Sequence, residues 1–142
     1  MAEGLAIEKC SRCNSTSVIH QAYSGQHFCS KHLSASIRKR TSRELRQQLI
    51  LPKDARHEDG SPYRILVAIS GGKDSAVLLT MMVDILGCRR DVEMIAGCID
   101  EGIDGYRAPS LECARELAAS LEVRFETMSY EEMGYERMDE VV

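Results

Sequence analysis

The sequence predicts an α/β fold with a parallel, doubly wound sheet that follows a small cysteine-rich module. Between residues 65 and 128, three short apolar runs alternate with two helix-like runs, and strands joined through helices run parallel. Before them, a Cys-x-x-Cys pair and a Cys-x-x-His pair are separated by 15 residues. We therefore expect a module at 1–33, a basic helix and linker at 34–62, and an α/β domain at 63–142.

Charge is distributed unevenly along the 142 residues. Residues 1–51 carry eight Lys and Arg against three Asp and Glu, whereas residues 52–142 carry ten against nineteen. A basic segment before an acidic body predicts that any polyanion binds to the first third. No apolar run reaches the roughly 18 residues that a membrane span needs, and the first residues do not resemble a signal sequence, so we expect a soluble, cytoplasmic protein without a membrane partner.

The two cysteine-containing pairs have the spacing of a metal site. Each pair forms a tight turn with its ligands three positions apart, and together they supply Cys10, Cys13, Cys29 and His32. Three thiolates and one imidazole suit a closed, tetrahedral zinc site with a structural role. The residues between the pairs are predicted to form a small hairpin with little core of its own, so bound metal would provide much of the folding free energy.

A basic helix is predicted from residue 33 to residue 51. Its apolar positions, including Leu33, Ile37 and Leu45, form one stripe. The remaining faces carry the candidate RNA-binding residues Arg38, Lys39, Arg40, Arg43 and Arg46. Two interpretations stay open: a solvated face on a linking helix, or a contact with nucleic-acid phosphates. A polar linker at 53–62, punctuated by Pro and Gly, marks the domain boundary.

The first predicted strand, 65–70, ends in Ser70-Gly71-Gly72, and a helix is predicted from Asp74 to Leu86. This order presents backbone N–H groups and a helix N-terminus to a phosphate. The Walker pattern fails because Val67 stands where its first glycine belongs, and no G-x-G-x-x-G occurs. The simpler alternative is an ordinary helix cap after a glycine turn.

Two further strands, at 92–99 and 123–128, flank a helix at 109–121. Gly87 is expected to end the preceding helix in a left-handed conformation. The acidic segment 129–142 is expected to begin another helix.

The string Ser-Gly-Gly-Lys-Asp-Ser at 70–75 resembles the signature of the PP-loop ATP pyrophosphatases, whose fold is of the adenine nucleotide α-hydrolase type. The resemblance implies that this loop holds the β,γ-pyrophosphate of ATP while the α-phosphate is attacked. It implies catalytic roles for Lys73 and Asp74, the latter through Mg²⁺. The predicted ATP-binding residues are Ala68, Ser70, Gly71, Gly72, Lys73, Asp74, Ser75, Ile99 and Asp100; the backbone of Ala68 and Ile99 would contact adenine, and Asp100 the ribose or metal.

The whole pattern is closer still to the archaeal and eukaryotic-type tRNA 2-thiouridine synthetases. The cysteine module, the basic helix, the run Val67–Ser75 and the run Ile99–Arg107 carry this resemblance. It implies an ATP-dependent tRNA sulfurtransferase that adenylates the uracil C2 oxygen and then replaces it with sulfur. It also implies Zn²⁺, a tRNA substrate, a ubiquitin-like sulfur carrier and a homodimer.

One departure from that family concerns sulfur chemistry. Its members hold a [4Fe–4S] cluster on a further Cys-x-x-Cys pair and a distant cysteine, whereas Cys88, Cys98 and Cys113 are isolated here. The chain also offers three strands where the family has about five. Two alternatives therefore stay open: a nucleotide-binding fragment or module without thiolation activity, and a PP-loop ligase that adenylates another substrate.

Overall fold

The computed structural model describes residues 8–103 and 107–138, which belong to two compact units. The first unit ends at Ile50 and the second begins at Leu51.

In the first unit, a hairpin of β1 (Ile19–Gln21) and β2 (Gln26–Phe28) leads directly into α1 (Ser30–Gln48). Phe28, only 1% exposed, forms a small core with Cys10 and Cys29, against which Leu33 packs. One aromatic ring and two cysteines bury little apolar surface, so this unit needs stabilisation beyond its own core.

Helix α1 begins three residues before its predicted start because Cys29, in extended conformation, serves as its N-cap. Its large apolar residues, Leu33, Ile37 and Leu45, are half-buried, and no residue of the helix is fully buried. The chain leaves the helix at Ile50, which has a positive φ of 43°. The five candidate RNA-binding side chains are all exposed.

The second unit confirms the predicted α/β fold. Its elements are β3 (Tyr63–Ala68), α2 (Lys73–Leu86), β4 (Val92–Asp100), α3 (Arg107–Ser120) and β5 (Arg124–Ser129). The strands form a parallel sheet in the order β3-β4-β5. Parallel strands joined through helices align their carboxyl ends along one edge of the sheet.

The two faces of this sheet differ. One face is buried against α2 and α3, with Val67 and Ala96 on the strands packed near Leu79 and Ala118 on the helices. Successive right-handed crossovers that progress in one direction place both helices on the same face. On the other face, Leu66 is 66%, Ile99 48% and Met128 51% exposed.

A buried carboxylate joins the linker to this sheet. Asp91, buried at the start of β4, accepts hydrogen bonds from the Ala55 backbone N–H at 2.7 Å and from the Arg89 guanidinium. Arg89 also donates to the Pro52 carbonyl oxygen at 2.8 Å. The Arg89 hydrogen bonds, followed by that from Ala55, hold the pKa of Asp91 well below its ordinary value. Asp91 therefore stays ionised and tethers the linker.

One local prediction is wrong, and a second is not met in the part of the chain that the structure describes. Gly87 ends α2 with a right-handed φ of −63°. Glycine is favoured there for a steric reason, because a Cβ at residue 87 would lie 2.4 Å from the Val83 carbonyl oxygen. Within residues 130–138 no α-helix follows β5, and the rest of the predicted segment, 139–142, lies outside the described residues. Ser129 and Glu132 do exchange the reciprocal hydrogen bonds of a capping box, but Gly134 adopts a φ of 82° and ends the turn.

The end of α3 predicts a stabilising substitution. Glu122 has a φ of 56°, and the bonds from Glu122 N–H to the Ala119 oxygen and from Val123 N–H to the Ala118 oxygen form a Schellman motif. Because glycine avoids the left-handed penalty, Glu122→Gly should raise the free energy of unfolding by about 1 kcal/mol, measured by urea titration. Glu116→Gly, at an exposed position inside the same helix, should lower it by about 1 kcal/mol. A loss in both variants would contradict the assignment.

Candidate functional site

Four potential metal ligands meet in the first unit. The Cys10 and Cys29 sulfurs lie 3.3 and 3.4 Å from Nδ1 of His32, and the Cys13 and Cys29 sulfurs are 3.8 Å apart. All four ligand atoms lie within 4.8 Å of one another. The turn at Cys10–Cys13 and the first turn of α1, which carries His32, present them to one point.

These distances fit a tetrahedral zinc ion. Zn–S bonds of about 2.3 Å and Zn–N bonds of about 2.0–2.1 Å place two sulfurs about 3.8 Å apart and a sulfur and a nitrogen about 3.5 Å apart. The imidazole faces the sulfurs through Nδ1, a choice that the Cys-x-x-His spacing does not reveal. Four protein ligands fill a tetrahedron, so the arrangement suits a structural ion.

The thiols titrate unequally. Burial raises the pKa of the Cys10 thiol, but hydrogen bonds from the backbone of Cys29 and Arg12 outweigh it and lower that pKa to about 6. For Cys29, a backbone hydrogen bond at His32 lowers the pKa, whereas burial and the Cys13 and Cys10 thiols raise it, with a net upward shift. One thiolate forms readily, and a second requires a cation to offset the repulsion.

The phosphate-type loop lies at the carboxyl end of β3 and is organised by two serines. Oγ of Ser75 accepts a hydrogen bond from the Ser70 backbone N–H at 3.1 Å and donates to the Gly72 carbonyl oxygen at 3.0 Å. Oγ of Ser70 lies 3.1 Å from Oγ of Ser75 and accepts from the Gly72 N–H at 3.3 Å. The loop is therefore held in shape by its own hydroxyl groups.

The two glycines of this loop differ in backbone conformation and in the space around them. Gly71 has a φ of 83°, and a Cβ there would lie 2.1 Å from the Ser110 carbonyl oxygen of α3. Gly72 has an ordinary φ of −86°, and a Cβ there would meet only Oγ of Ser70 within 4 Å, at 3.4 Å. The fold demands glycine at 71, whereas at 72 it leaves room for a methyl group.

Helix α2 begins at this loop without a side-chain cap. Gly72 is its N-cap residue, and no side chain hydrogen-bonds to the first turn from that position. The N–H groups of a first turn have no intrahelical partners and carry the positive end of the helix dipole, so they attract an anion. Lys73 and Asp74, both highly exposed, form an ion pair at 3.6 Å beside them.

The predicted ATP-binding residues border three separate cavities of the second unit. Ala68, Ser70, Ser75 and Ile99 line a cavity of about 630 Å³ over the uncovered sheet face. Gly71, Gly72 and Lys73 line one of about 150 Å³, and Ser75 borders both. Asp100 lines a third, of about 430 Å³, and accepts a hydrogen bond from the Gly102 N–H at 3.0 Å. Asp74 lines none of these three.

The sequence reasoning missed most of the residues that line the large cavity, among them Thr127, Met128 and Met133. Thr127 and Met128 pair in register with Cys98 and Ile99 of the neighbouring strand. The signal was available, because the end of the third predicted strand belongs to the same sheet edge as the ends of the first two.

The other three cysteines do not form a cluster site in the described residues. Cys98 is buried, and Cys88 and Cys113 are exposed. Among residues 8–103 and 107–138, the only group of three or more potential metal-binding side chains is the one around His32. These cysteines do not fit a [4Fe–4S] cluster.

Residues 9–34 match the family model for 2-thiouridine synthetase TtuA, N-terminal LIM domain. The chain is 40% identical, over 134 residues, to tRNA 2-thiolation protein NcsA of Haloferax volcanii, an alignment that covers 94% of this chain and 41% of the relative.

The chain belongs to the tRNA 2-thiolation protein family.

Other family members agree with this assignment. A cytoplasmic tRNA 2-thiolation protein 1 from Drosophila pseudoobscura is 41% identical over 81 residues, 56% of this chain and 23% of that protein. The U34-tRNA thiolase NcsA of Methanococcus maripaludis, solved with its [4Fe-4S] cluster, superposes with a TM-score of 0.70 at 25% identity, covering 94% of this chain and 42% of that one. The chain thus spans about two fifths of the first-named relative.

Among the described residues, no helix of this family member is long and apolar enough to cross a membrane.

Metal removal tests the four-ligand site. We expect one Zn²⁺ per chain by elemental analysis, and Cys13→Ser should abolish stoichiometric binding because it breaks the tetrahedron. A zinc chelator should unfold the first unit, since its core is small, with loss of helical circular dichroism. Cys88→Ser, at an exposed cysteine outside the cluster, should retain the metal and the signal. Equal zinc content in both variants would refute the site.

Substitution of the two loop glycines tests whether the loop binds phosphate. Gly72→Ala should leave the melting temperature nearly unchanged yet weaken ATP binding at least about 10-fold, because a methyl group obstructs close approach of a phosphate to the backbone. Gly71→Ala should lower the melting temperature itself, because its Cβ would collide with α3. Calorimetry of unfolding and of ATP binding separates the two effects. Unimpaired ATP binding by Gly72→Ala would contradict a phosphate site.

Proposed function

We propose that this chain supplies the zinc module and the ATP site of an ATP-dependent tRNA sulfurtransferase that 2-thiolates a tRNA uridine. The observation that carries the proposal is the serine-organised loop at the carboxyl end of β3, followed by a helix without a side-chain cap. Family membership supports the reaction and the substrate, since the relatives are named for tRNA 2-thiolation. Zn²⁺ is the proposed ion on Cys10, Cys13, Cys29 and His32.

ATP is proposed to lie along the carboxyl edge of the sheet. The loop 70–75 and the first turn of α2 would bind the β,γ-pyrophosphate, and Lys73 would contribute a positive charge. Mg²⁺ on Asp74 would supply charge neutralisation at the phosphates. The cavity bordered by Ala68 and Ile99 would take the adenosine, a position supported by its apolar lining and its continuity with Ser70 and Ser75. Asp100 remains a candidate contact for the ribose or metal.

The proposed chemistry has two steps. In the first, the uracil O2 attacks the α-phosphorus, a new P–O bond forms, the α–β bridging P–O bond breaks, and pyrophosphate and the N3 proton leave. In the second, the sulfur of a thiocarboxylate attacks C2, and the C2–O bond breaks to release AMP. Water then hydrolyses the acyl–sulfur bond, N3 regains its proton, and 2-thiouridine and a carboxylate remain. A ubiquitin-like carrier would present such a thiocarboxylate.

The contribution of this chain is positioning and charge stabilisation. Pyrophosphate departs with developing negative charge, which the N–H groups of α2 and the Lys73 ammonium can stabilise in place. No cysteine in the second unit is assigned a sulfur-transfer role.

The basic face of α1 is the proposed tRNA contact. Arg38, Lys39, Arg40, Arg43 and Arg46 are exposed and would displace counterions from tRNA phosphates. A cytoplasmic location is proposed from the name of the Drosophila relative. A homodimer remains an expectation from the family resemblance.

A second candidate function is a nucleotide-binding module that another polypeptide completes. The exposed apolar side chains of Val77 and Leu78 on α2, which line none of the three cavities described above, favour it, because exposed apolar surface can mark an interface. The ATP site is the same in both cases, and thiolation by this chain alone distinguishes them.

A single reaction tests the proposal. The chain is incubated with ATP labelled at the α-phosphate, tRNA and a thiocarboxylate donor, and nucleotides and 2-thiouridine are quantified. We expect tRNA-dependent AMP and 2-thiouridine, with Asp74→Asn reducing AMP formation about 100-fold or more because it loses a metal-binding charge. Asp59→Asn, at an exposed linker carboxylate, is the matched control and should retain full activity.

Each other outcome selects an alternative. ATP binding without AMP formation supports the module. AMP formation without 2-thiouridine supports a ligase for another substrate, and formation of ADP contradicts a PP-loop reaction.

A further inference from the structure

The turn of the zinc-module hairpin presents an exposed aromatic ring. Tyr23 lies between β1 and β2 and is 66% exposed, outside the small core around Phe28. The Arg40 guanidinium of α1 lies 4.8 Å from the centroid of its ring. The ring thus combines a stacked cation with a large accessible surface.

This ring is held in place although it adds nothing to the core. The Tyr23 hydroxyl donates to Oε1 of Gln21 at 2.9 Å. The N–H groups of Ser24 and Gly25 donate to the Gln21 carbonyl oxygen at 3.1 and 2.8 Å, which closes the turn. A preorganised ring loses little conformational entropy when it binds a flat partner.

Positive charge continues from this ring along α1. Arg43 lies three residues after Arg40, so the two side chains are neighbours one turn apart along the same helix face. Within residues 8–50, Glu8 and Glu44 are the only acidic residues against eight Lys and Arg. An aromatic platform beside successive guanidiniums on a basic unit fits a nucleic-acid strand with an accessible base.

We propose that Tyr23 and Arg40 form a stacking platform for an unpaired base of an RNA loop, with Arg43 at the adjacent phosphate. The platform selects unpaired RNA, because bases inside a duplex are covered by their stacked neighbours and cannot reach a ring. This inference rests on the proposed function, whose tRNA substrate carries unpaired loops. It adds a preference for loops over duplexes, which phosphate contacts alone do not produce.

The same hairpin offers a matched control. His20 and His27 stack across the strands with ring centroids 4.5 Å apart. Adjacent strand residues point to opposite faces, so this pair lies on the face opposite to Phe28, which packs with the start of α1. Tyr23, in contact with Arg40, is directed towards α1. His20→Ala therefore removes an exposed ring from the same hairpin without touching the platform.

The test measures binding of the full chain to two RNAs by fluorescence anisotropy: a stem–loop with an unpaired loop, and a blunt duplex with the same stem. Tyr23→Ala should weaken stem–loop binding by about 5- to 50-fold and leave duplex binding unchanged. Tyr23→Phe, which keeps the ring, should bind nearly as the parent does. Arg43→Ala should weaken both RNAs and reduce the salt dependence by about one ion.

Other outcomes overturn the inference. These are equal loss for both RNAs in Tyr23→Ala, no loss in that variant, or a loss in His20→Ala as large as that in Tyr23→Ala. Absence of any RNA binding would overturn it together with the proposed tRNA substrate. Parent-like RNA binding without AMP formation would instead count against the proposed reaction and leave the platform standing. Zinc content of each variant verifies that the module is folded.

Discussion

The close approach of the α3 backbone to Gly71 is the contact on which the second unit depends. A Cβ at residue 71 would lie 2.1 Å from the Ser110 carbonyl oxygen, so the loop after β3 and the start of α3 touch backbone to backbone. This contact positions the loop between α2 and α3 at the carboxyl edge of the sheet. The serine pair, Ser70 and Ser75, then shapes the loop from within. The contacts within the chain thus define the loop conformation, and such preorganisation would favour the phosphate binding proposed above.

The first unit has too small a core to be stabilised in the same way. Its core has one buried aromatic ring and two cysteines, which is too little apolar burial to offset the entropy of folding. A metal ion on the four ligand atoms, which lie within 4.8 Å of one another, would supply by coordination the stability that this core does not provide. Tyr23 lies outside this core and is 66% exposed, so the packing of the unit does not use its ring.

The two faces of the sheet also differ in their surroundings. The face beneath α2 and α3 is a packed core, whereas the opposite face leaves Leu66, Ile99 and Met128 exposed at the cavity of about 630 Å³. That cavity meets the loop 70–75 at Ser70 and Ser75, so apolar surface adjoins the loop that is proposed to bind phosphate. A nucleotide, with a flat base and a charged tail, matches such a combination.

Local chemistry was readable from the sequence, and spatial relations were not. The Cys-x-x-Cys and Cys-x-x-His spacing predicted the four-ligand group, and alternating apolar runs predicted the parallel sheet, because both patterns depend on periodicities within a few residues. The prediction of a left-handed Gly87 was wrong, because this residue ends α2 with a right-handed φ beside Val83. No α-helix begins between residues 130 and 138, where Gly134 adopts a φ of 82°. Only the tertiary structure showed that Gly71 is sterically constrained and Gly72 is not. It also showed that Asp100 lines a different cavity from Ala68 and Ile99, and that the Arg40 guanidinium lies over the Tyr23 ring. Each of these depends on residues distant in sequence, which no local pattern records.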